Sequence, residues 1–103
     1  MDKREAISLA QQYVYMIGKK YDISKALVFG SYVKGSNRTD SDIDVALVLK
    51  NIDNLFDTQI DLLQLRQDKD LIIEPHPFRE NDFTIDDPFV HEIVRSGVEL
   101  TIE

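Results

Sequence analysis

Residues 26–49 read ALVFGSYVKGSNRTDSDIDVALVL: two apolar runs enclose a polar segment with two glycines, and the second run is opened by the spaced aspartates Asp42 and Asp44. The part from Gly30 to Ser36, GSYVKGS, comes close to the phosphate-binding P-loop, G-x-x-x-x-G-K-[ST]. Its lysine, Lys34, precedes the second glycine, Gly35, where a P-loop lysine follows it. A P-loop also needs a helix to begin at that glycine, so that amides and dipole face the phosphates. Here SNRTDSD follows, a run of turn formers, and then an apolar strand-like run. The P-loop reading fails. What remains is a strand, a Gly-Ser turn, one helical turn over residues 32–34, a second glycine and a strand opened by Asp-Ile-Asp. In a strand, Asp42 and Asp44 point to the same face, roughly 6–7 Å apart along the backbone. Carboxylates so placed can hold two divalent ions about 3.5–4 Å apart, the arrangement used for in-line phosphoryl and nucleotidyl transfer.

Outward from this stretch the periodicity is clear. Residues 3–17 set Ile7, Ala10, Val14 and Ile17 at spacings of three and four, which predicts a helix with one buried stripe. Residues 26–29 predict a short strand, and the nearly unbroken apolar run 43–49 a strand covered on both faces. Residues 53–66 return to helical spacing, with Asp53 as the N-cap. Leu71–Ile73 predicts a strand closed by Pro75 and Pro77. Asp87-Pro88 opens a last helix, Gly97 ends it, and VELTI (98–102) supplies a final strand. The order α-β-β-α-β-α-β predicts an α/β (α+β) sandwich, a small mixed β-sheet flanked by helices. With no repeat, low-complexity segment or linker, one domain over residues 1–103 is expected.

Composition narrows the function. A net charge of −7 repels phosphate backbones, so nucleic acid is not expected as a direct ligand unless basic residues cluster. The lack of cysteine excludes a disulfide framework and thiolate metal sites. MDKREAISLAQQ at the N-terminus lacks the apolar run of a signal peptide, and no stretch is long enough to span a membrane. A cytoplasmic protein without membrane contact is expected.

D-x-D alone is a weak signal, since paired aspartates beside a turn are commonly solvated caps. Order and spacing carry more: F-G-S-x-x-x-G, then six residues, then D-I-D running into an apolar strand. The whole pattern, FGSYVKGSNRTDSDIDVALVL, resembles the signature of the polymerase-beta-type nucleotidyltransferase superfamily. More closely it resembles the minimal nucleotidyltransferase (MNT) domains, whose usual form is FGSRARG-x-x-R-x-DSDIDL. The resemblance covers most of the chain and implies a polymerase-beta-like fold with a donor nucleotide, ATP, and two Mg²⁺ ions for which Mn²⁺ can substitute. By matching position it gives Gly30, Ser31, Lys34, Gly35, Arg38 and Ser41 to the nucleotide, and Asp42 and Asp44 to the metals. Lys34 stands where the family has its second arginine, a point charge in place of a bidentate fork. Tyr32 replaces the first arginine and removes one expected cation.

The family also uses a third carboxylate on the next strand, for which DKDLIIEPHPF offers Asp70 and Glu74. If helix 53–66 is a crossover, strands 43–49 and 71–73 are parallel and their starting ends adjacent. The D-x-D pair sits at a strand start, and so does Asp70, whereas Glu74 lies four residues on, about 13 Å along the strand. Asp70 is therefore preferred as third metal ligand and base, with Glu74 in reserve. His76 and His91 lack metal spacing and read as surface or packing residues; Phe78, Phe83 and Phe89 read as core.

A chain this small has little room for both a nucleotide site and a large acceptor pocket. MNT proteins often act as antitoxins beside a HEPN-domain partner, typically a ribonuclease toxin, and some transfer AMP to a tyrosine of that partner. The resemblance therefore implies a protein adenylyltransferase acting on a HEPN-type toxin, in a homo- or hetero-oligomer. The rival readings are a catalytically inactive module that neutralises its partner by contact alone, and an aminoglycoside-type nucleotidyltransferase lacking its added domain.

Overall fold

The computed structural model describes residues 1–102. Four helices and four strands follow one another as α1 (Lys3–Ile17), β1 (Ile23–Phe29), α2 (Ser31–Lys34), β2 (Ile43–Leu49), α3 (Leu55–Gln64), β3 (Ile73–Arg79), α4 (Pro88–Ser96) and β4 (Val98–Glu99). The strands form one mixed sheet in the order β3-β2-β1-β4. β1 runs antiparallel to β2 and β4, and β2 runs parallel to β3 across the α3 crossover. The expected mixed sheet with flanking helices is what forms.

Alternation along the strands builds two unequal faces. Ala26, Val28, Ile43, Val45, Leu47, Leu49 and Ile73 enter the main core. There α1 lays down Ala6, Ala10, Tyr13, Val14 and Ile17, and α3 adds Leu62. A capping box starts α1: Asp2 Oδ1 accepts from the Glu5 amide at 2.8 Å, and Glu5 Oε1 accepts from the Asp2 amide at 3.2 Å. The opposite face is thinner, with Leu27, Phe29, Ala46 and Ile93 of α4 buried and Phe78 and Phe83 packed against them. Among the described residues no helix is long and apolar enough to cross a membrane.

Several boundaries differ from the sequence expectation: β4 ends at Glu99, short of the expected 102, and three others matter more. β1 begins at Ile23, three residues early. The N-cap of α3 is Asn54, whose Oδ1 accepts from the Asp57 amide at 3.0 Å, and not Asp53. The third difference has the most consequence: β3 begins at Ile73 and runs through Pro75 and Pro77 to Arg79. Proline is tolerated because β3 is an edge strand. The carbonyls of Ile73 and Pro75 face outward and accept from Arg66 Nη1 and Gln59 Nε2 at 3.1 and 2.8 Å. Odd-numbered residues thus turn their backbone polar groups away from β2, and the N–H groups that the prolines lack would have faced the open edge.

Between α1 and β1, Lys20 and Tyr21 tie the turn to α3 through Asp61: Lys20 Nζ lies 2.8 Å from Asp61 Oδ2, to which Tyr21 Oη also donates. The bonds from Lys20 and then Tyr21 hold the Asp61 carboxyl below the usual carboxylate range. Burial, with the bond to Asp61, pushes the Tyr21 phenol up to about 12. A depressed carboxyl stabilises the fold above its unfolded-state pKa and loses that contribution as pH falls through its folded value. Asp61→Asn should therefore cost about 1 kcal/mol at pH 7. In urea unfolding, the gap to wild type should shrink as pH falls toward about 3; a gap that stays constant would show that the carboxylate charge is not what holds the tie.

Candidate active site

β1 ends at Phe29, which pairs with Asp44 on β2. The chain then turns sharply at Gly30, with φ 87° and ψ −154°, into the single turn of α2. This conformation is costly for any residue with a Cβ. A second constraint is steric: a Cβ on Gly30 would overlap the Asp44 carboxylate. Gly30 is thus the residue that lets the turn sit directly against Asp44. No side chain caps the start of α2, and Gly35 closes it in the left-handed conformation at φ 77°.

On the other side of β2, the parallel register sets Asp44 beside Glu74 and Ala46 beside His76. These side chains share the thin face of the sheet. His76 Nε2 lies 3.0 Å from Asp44 Oδ1 and 4.0 Å from Glu74 Oε1. Asp44, Glu74 and His76 each offer a ligand atom within 4.8 Å of the others, the one such grouping among the described residues. Aromatic rings fix the imidazole: Phe29 packs at 5.1 Å between centroids, and Phe89 of α4 stands edge-on at 6.2 Å. The Asp44 and His76 side chains are half-buried, while that of Glu74 is 50% exposed, so the cluster forms a ledge open to a large molecule.

Of the residues singled out in the sequence, Gly30 and Asp44 come together at this ledge, and Ser31 follows Gly30 as the first residue of α2. Asp42 is exposed just ahead of β2 and lies outside the cluster. Asp70 is placed elsewhere. It sits in a 3-10 turn before β3 and is 1% exposed, with Oδ2 accepting from the Gln67 amide at 3.0 Å. The preference for Asp70 over Glu74 rested on β3 starting at residue 71. With the strand starting at Ile73, the same criterion selects Glu74, since it is the partner of Asp44 in the register.

The remaining loop residues have definite local roles. Ser41 Oγ accepts from the Arg38 amide at 2.7 Å and closes the turn that delivers Asp42, while the Arg38 side chain is exposed. Lys34 is paired with Glu92 of α4 at 3.1 Å. Tyr32 is buried in the main core, so position 32 presents no group to the ledge. His91 is exposed, as expected, and Phe78 and Phe83 pack together at 5.1 Å. Phe89, expected in the core, is 47% exposed beside the site.

His76 joins the cluster although the sequence reads it as a surface or packing residue. Glu74-x-His76 has the same alternate spacing as Asp42-x-Asp44, and the two prolines that flank His76 mask it as a strand.

Residues 12–103 match the family described as Polymerase beta, Nucleotidyltransferase. The fold is similar to the crystal structure of a candidate nucleotidyltransferase from Sulfolobus solfataricus, with a TM-score of 0.67 over 94% of this chain and 80% of that one. The two sequences are 21% identical, so this likeness speaks to fold alone. No curated protein matches the chain.

The contact between Gly30 and Asp44 can be tested by a double-mutant cycle. Gly30→Ala should destabilise by about 1–3 kcal/mol, from backbone strain plus the overlap with Asp44. Adding Asp44→Ala should recover the overlap part and leave the strain. Strictly additive effects in denaturant unfolding would show that the turn does not press on the carboxylate.

Proposed function

Because the chain belongs to the polymerase beta nucleotidyltransferase family, we propose that it transfers AMP from ATP to a hydroxyl of a protein partner. The partner, on the MNT resemblance, is a HEPN-domain toxin to which this chain is the antitoxin. The observation that carries the reaction is the Asp44–Glu74–His76 cluster pressed beneath the Gly30 turn. The openness of the ledge supports a protein acceptor: it encloses no small molecule, and a partner would bring its hydroxyl on its own surface.

The donor set fits a divalent ion. Two carboxylates within 4.8 Å of one another and of an imidazole nitrogen carry the charge and atom types that such an ion needs. Asp44, Glu74 and His76 would hold it, and Asp42, exposed just ahead of β2, stands outside this set. Bound there, the ion supplies neutralisation for the triphosphate and for the pyrophosphate leaving it. The chain's own residues do the rest. The Gly30–Ser31 turn admits the phosphates close to Asp44, since glycine leaves no side chain in the way. Phe29 and Phe89 hold the imidazole ring in place. The acceptor oxygen bonds to the α-phosphorus as the bond to the bridging oxygen breaks, and pyrophosphate departs with that electron pair. The acceptor proton passes to Glu74, whose carboxylate makes no hydrogen bond among the described residues.

Two measurements test this reading. ATP together with Mg²⁺ or Mn²⁺ should raise the melting temperature more than either component alone, and a chelator should abolish the excess. The imidazole favours Mn²⁺ over Mg²⁺, so Mn²⁺ should act at lower concentration. Equal stabilisation by ATP with and without chelator would count against the metal site.

The second test uses α-labelled ATP and a co-expressed partner, with a pull-down alongside. Asp44→Asn and Glu74→Gln should lower labelling at least about 100-fold while still binding the partner. Asp70→Asn should stay within a few-fold of wild type. Loss of labelling in Asp70→Asn with retention in Glu74→Gln would reverse the assignment of the third carboxylate. Wild-type protein that binds and neutralises the partner without labelling it would leave the domain a binding module.

A further inference from the structure

α2 and α4 each contribute a cation to one carboxylate. Lys34 Nζ lies 3.1 Å from Glu92 Oε1. Arg95 grips the same carboxylate with Nε at 3.1 Å and Nη2 at 2.8 and 3.0 Å. The bonds from Arg95 and then Lys34 hold Glu92 below the usual carboxylate range, so it is an anion at neutral pH. An Arg–Glu pair three residues apart on a helix surface is a weak interaction and needs no third member. The lysine from a separate element turns the pair into an anion site that already holds an anion.

Position makes this site relevant to the reaction. The Phe89 ring of α4 stands beside His76 in the acidic cluster. Glu92 follows three residues on, about 4.5 Å along the helix at 1.5 Å per residue. α4 therefore runs from beside His76 to Lys34 at the end of α2, and Lys34 follows Gly30, the residue that abuts the Asp44 carboxylate, by four residues, about 6 Å of helix. The family's own cation at position 32 is missing here, because Tyr32 turns into the core. A triphosphate on this ledge would need a second cation from another element, and Arg95 is held next to the first.

We propose that Lys34 and Arg95 form a clamp for the β- and γ-phosphates of the donor, with Glu92 as an internal stand-in that those phosphates displace. Arg95 then supplies the fork that Lys34 lacks. Glu92, with its side chain 39% exposed, can swing into water when released. The clamp discriminates by phosphate number: it grips a triphosphate and ignores a monophosphate. It rests on the nucleotidyltransferase reading above.

Calorimetry with Mn²⁺ and either AMP or a non-hydrolysable α,β-methylene analogue of ATP tests it. Wild type is compared with Arg95→Ala, Arg95→Lys, Glu92→Gln and Asp44→Asn. The Arg95 side chain is 62% exposed, so its variants should keep the wild-type melting temperature. Arg95→Ala should bind the analogue about tenfold more weakly with AMP unchanged, and Arg95→Lys should recover part of the loss. Glu92→Gln should bind the analogue several-fold more tightly, because the competing anion is gone. If Asp44→Asn loses the analogue while Arg95→Ala keeps it, the clamp is wrong and the nucleotidyltransferase reading stands. If Arg95→Ala weakens analogue and AMP equally, the clamp also falls. A wild type that binds neither ligand removes both.

Discussion

The parallel pairing of β2 with β3 is the constraint on which the site depends. Its register puts Asp44 against Glu74 and carries His76 to the same face. A slip of one residue would turn Glu74 and His76 into the main core and dissolve the cluster. Several features hold the register. The short α3 crossover limits how far β3 can slide, and the Ile43 amide donates to the Ile72 carbonyl at 2.8 Å at the head of the pair. Gln59 and Arg66 take the outward carbonyls of β3. Pro75 and Pro77 contribute negatively: they have no amide to offer a further strand, which protects an exposed edge from pairing with another chain. The same two prolines also pack inward, leaving the even-numbered side chains to the site.

Those prolines also explain what the sequence could and could not yield. α1, β2 and the start of α4 were legible because their signals are local: a stripe at spacings of three and four, a doubly covered apolar run, and Asp-Pro opening a helix. Asn54 rather than Asp53 caps α3 because adjacent residues of equal capping ability cannot be ranked without the chain path. The extent of β3 was not legible, since proline argues against a strand unless the strand is known to lie at an edge, and that is a tertiary fact. A strand taken to start at residue 71 puts Asp70 at its head, whereas the strand that forms from Ile73 pairs Glu74 with Asp44 and carries His76 to the same face. Loop residues show another limit: Lys34, Ser41 and Tyr32 could be matched to motif positions, but their actual partners lie on α4, in the loop's own backbone and in the core.

The two faces of the sheet divide the labour between stability and chemistry. α1 and α3 bury one face under the larger of the two apolar clusters. The thin face can then carry what a core would reject: two adjacent carboxylates, a half-buried imidazole, and a glycine in a conformation unfavourable to other residues. Close carboxylates repel, and in a fully buried setting that repulsion would be severe. At an exposed ledge water screens much of it, and the imidazole nitrogen at 3.0 Å from Asp44 offers a hydrogen bond. The same exposure that lowers this cost leaves the carboxylates accessible to an ion and an acceptor.

Charge distribution follows the same logic at larger scale. A chain of net charge −7 repels extended polyanions, and its field is least hostile to an anion whose charge is already largely neutralised by a bound cation. A metal-bound triphosphate is such an anion, whereas a nucleic acid backbone is not. On the proposed reading, a local positive group is needed where phosphate charge would fall, shielded from unselective use. Glu92 would provide that shielding, since it pairs with both Lys34 and Arg95. A weak anion gains little by displacing a carboxylate already held by two cations, while a ligand anchored at Asp44 brings its phosphates to the pair at high effective concentration. Selectivity for the right anion can thus arise from the linkage of two modest sites, without a deep pocket on a sheet face too thin to build one.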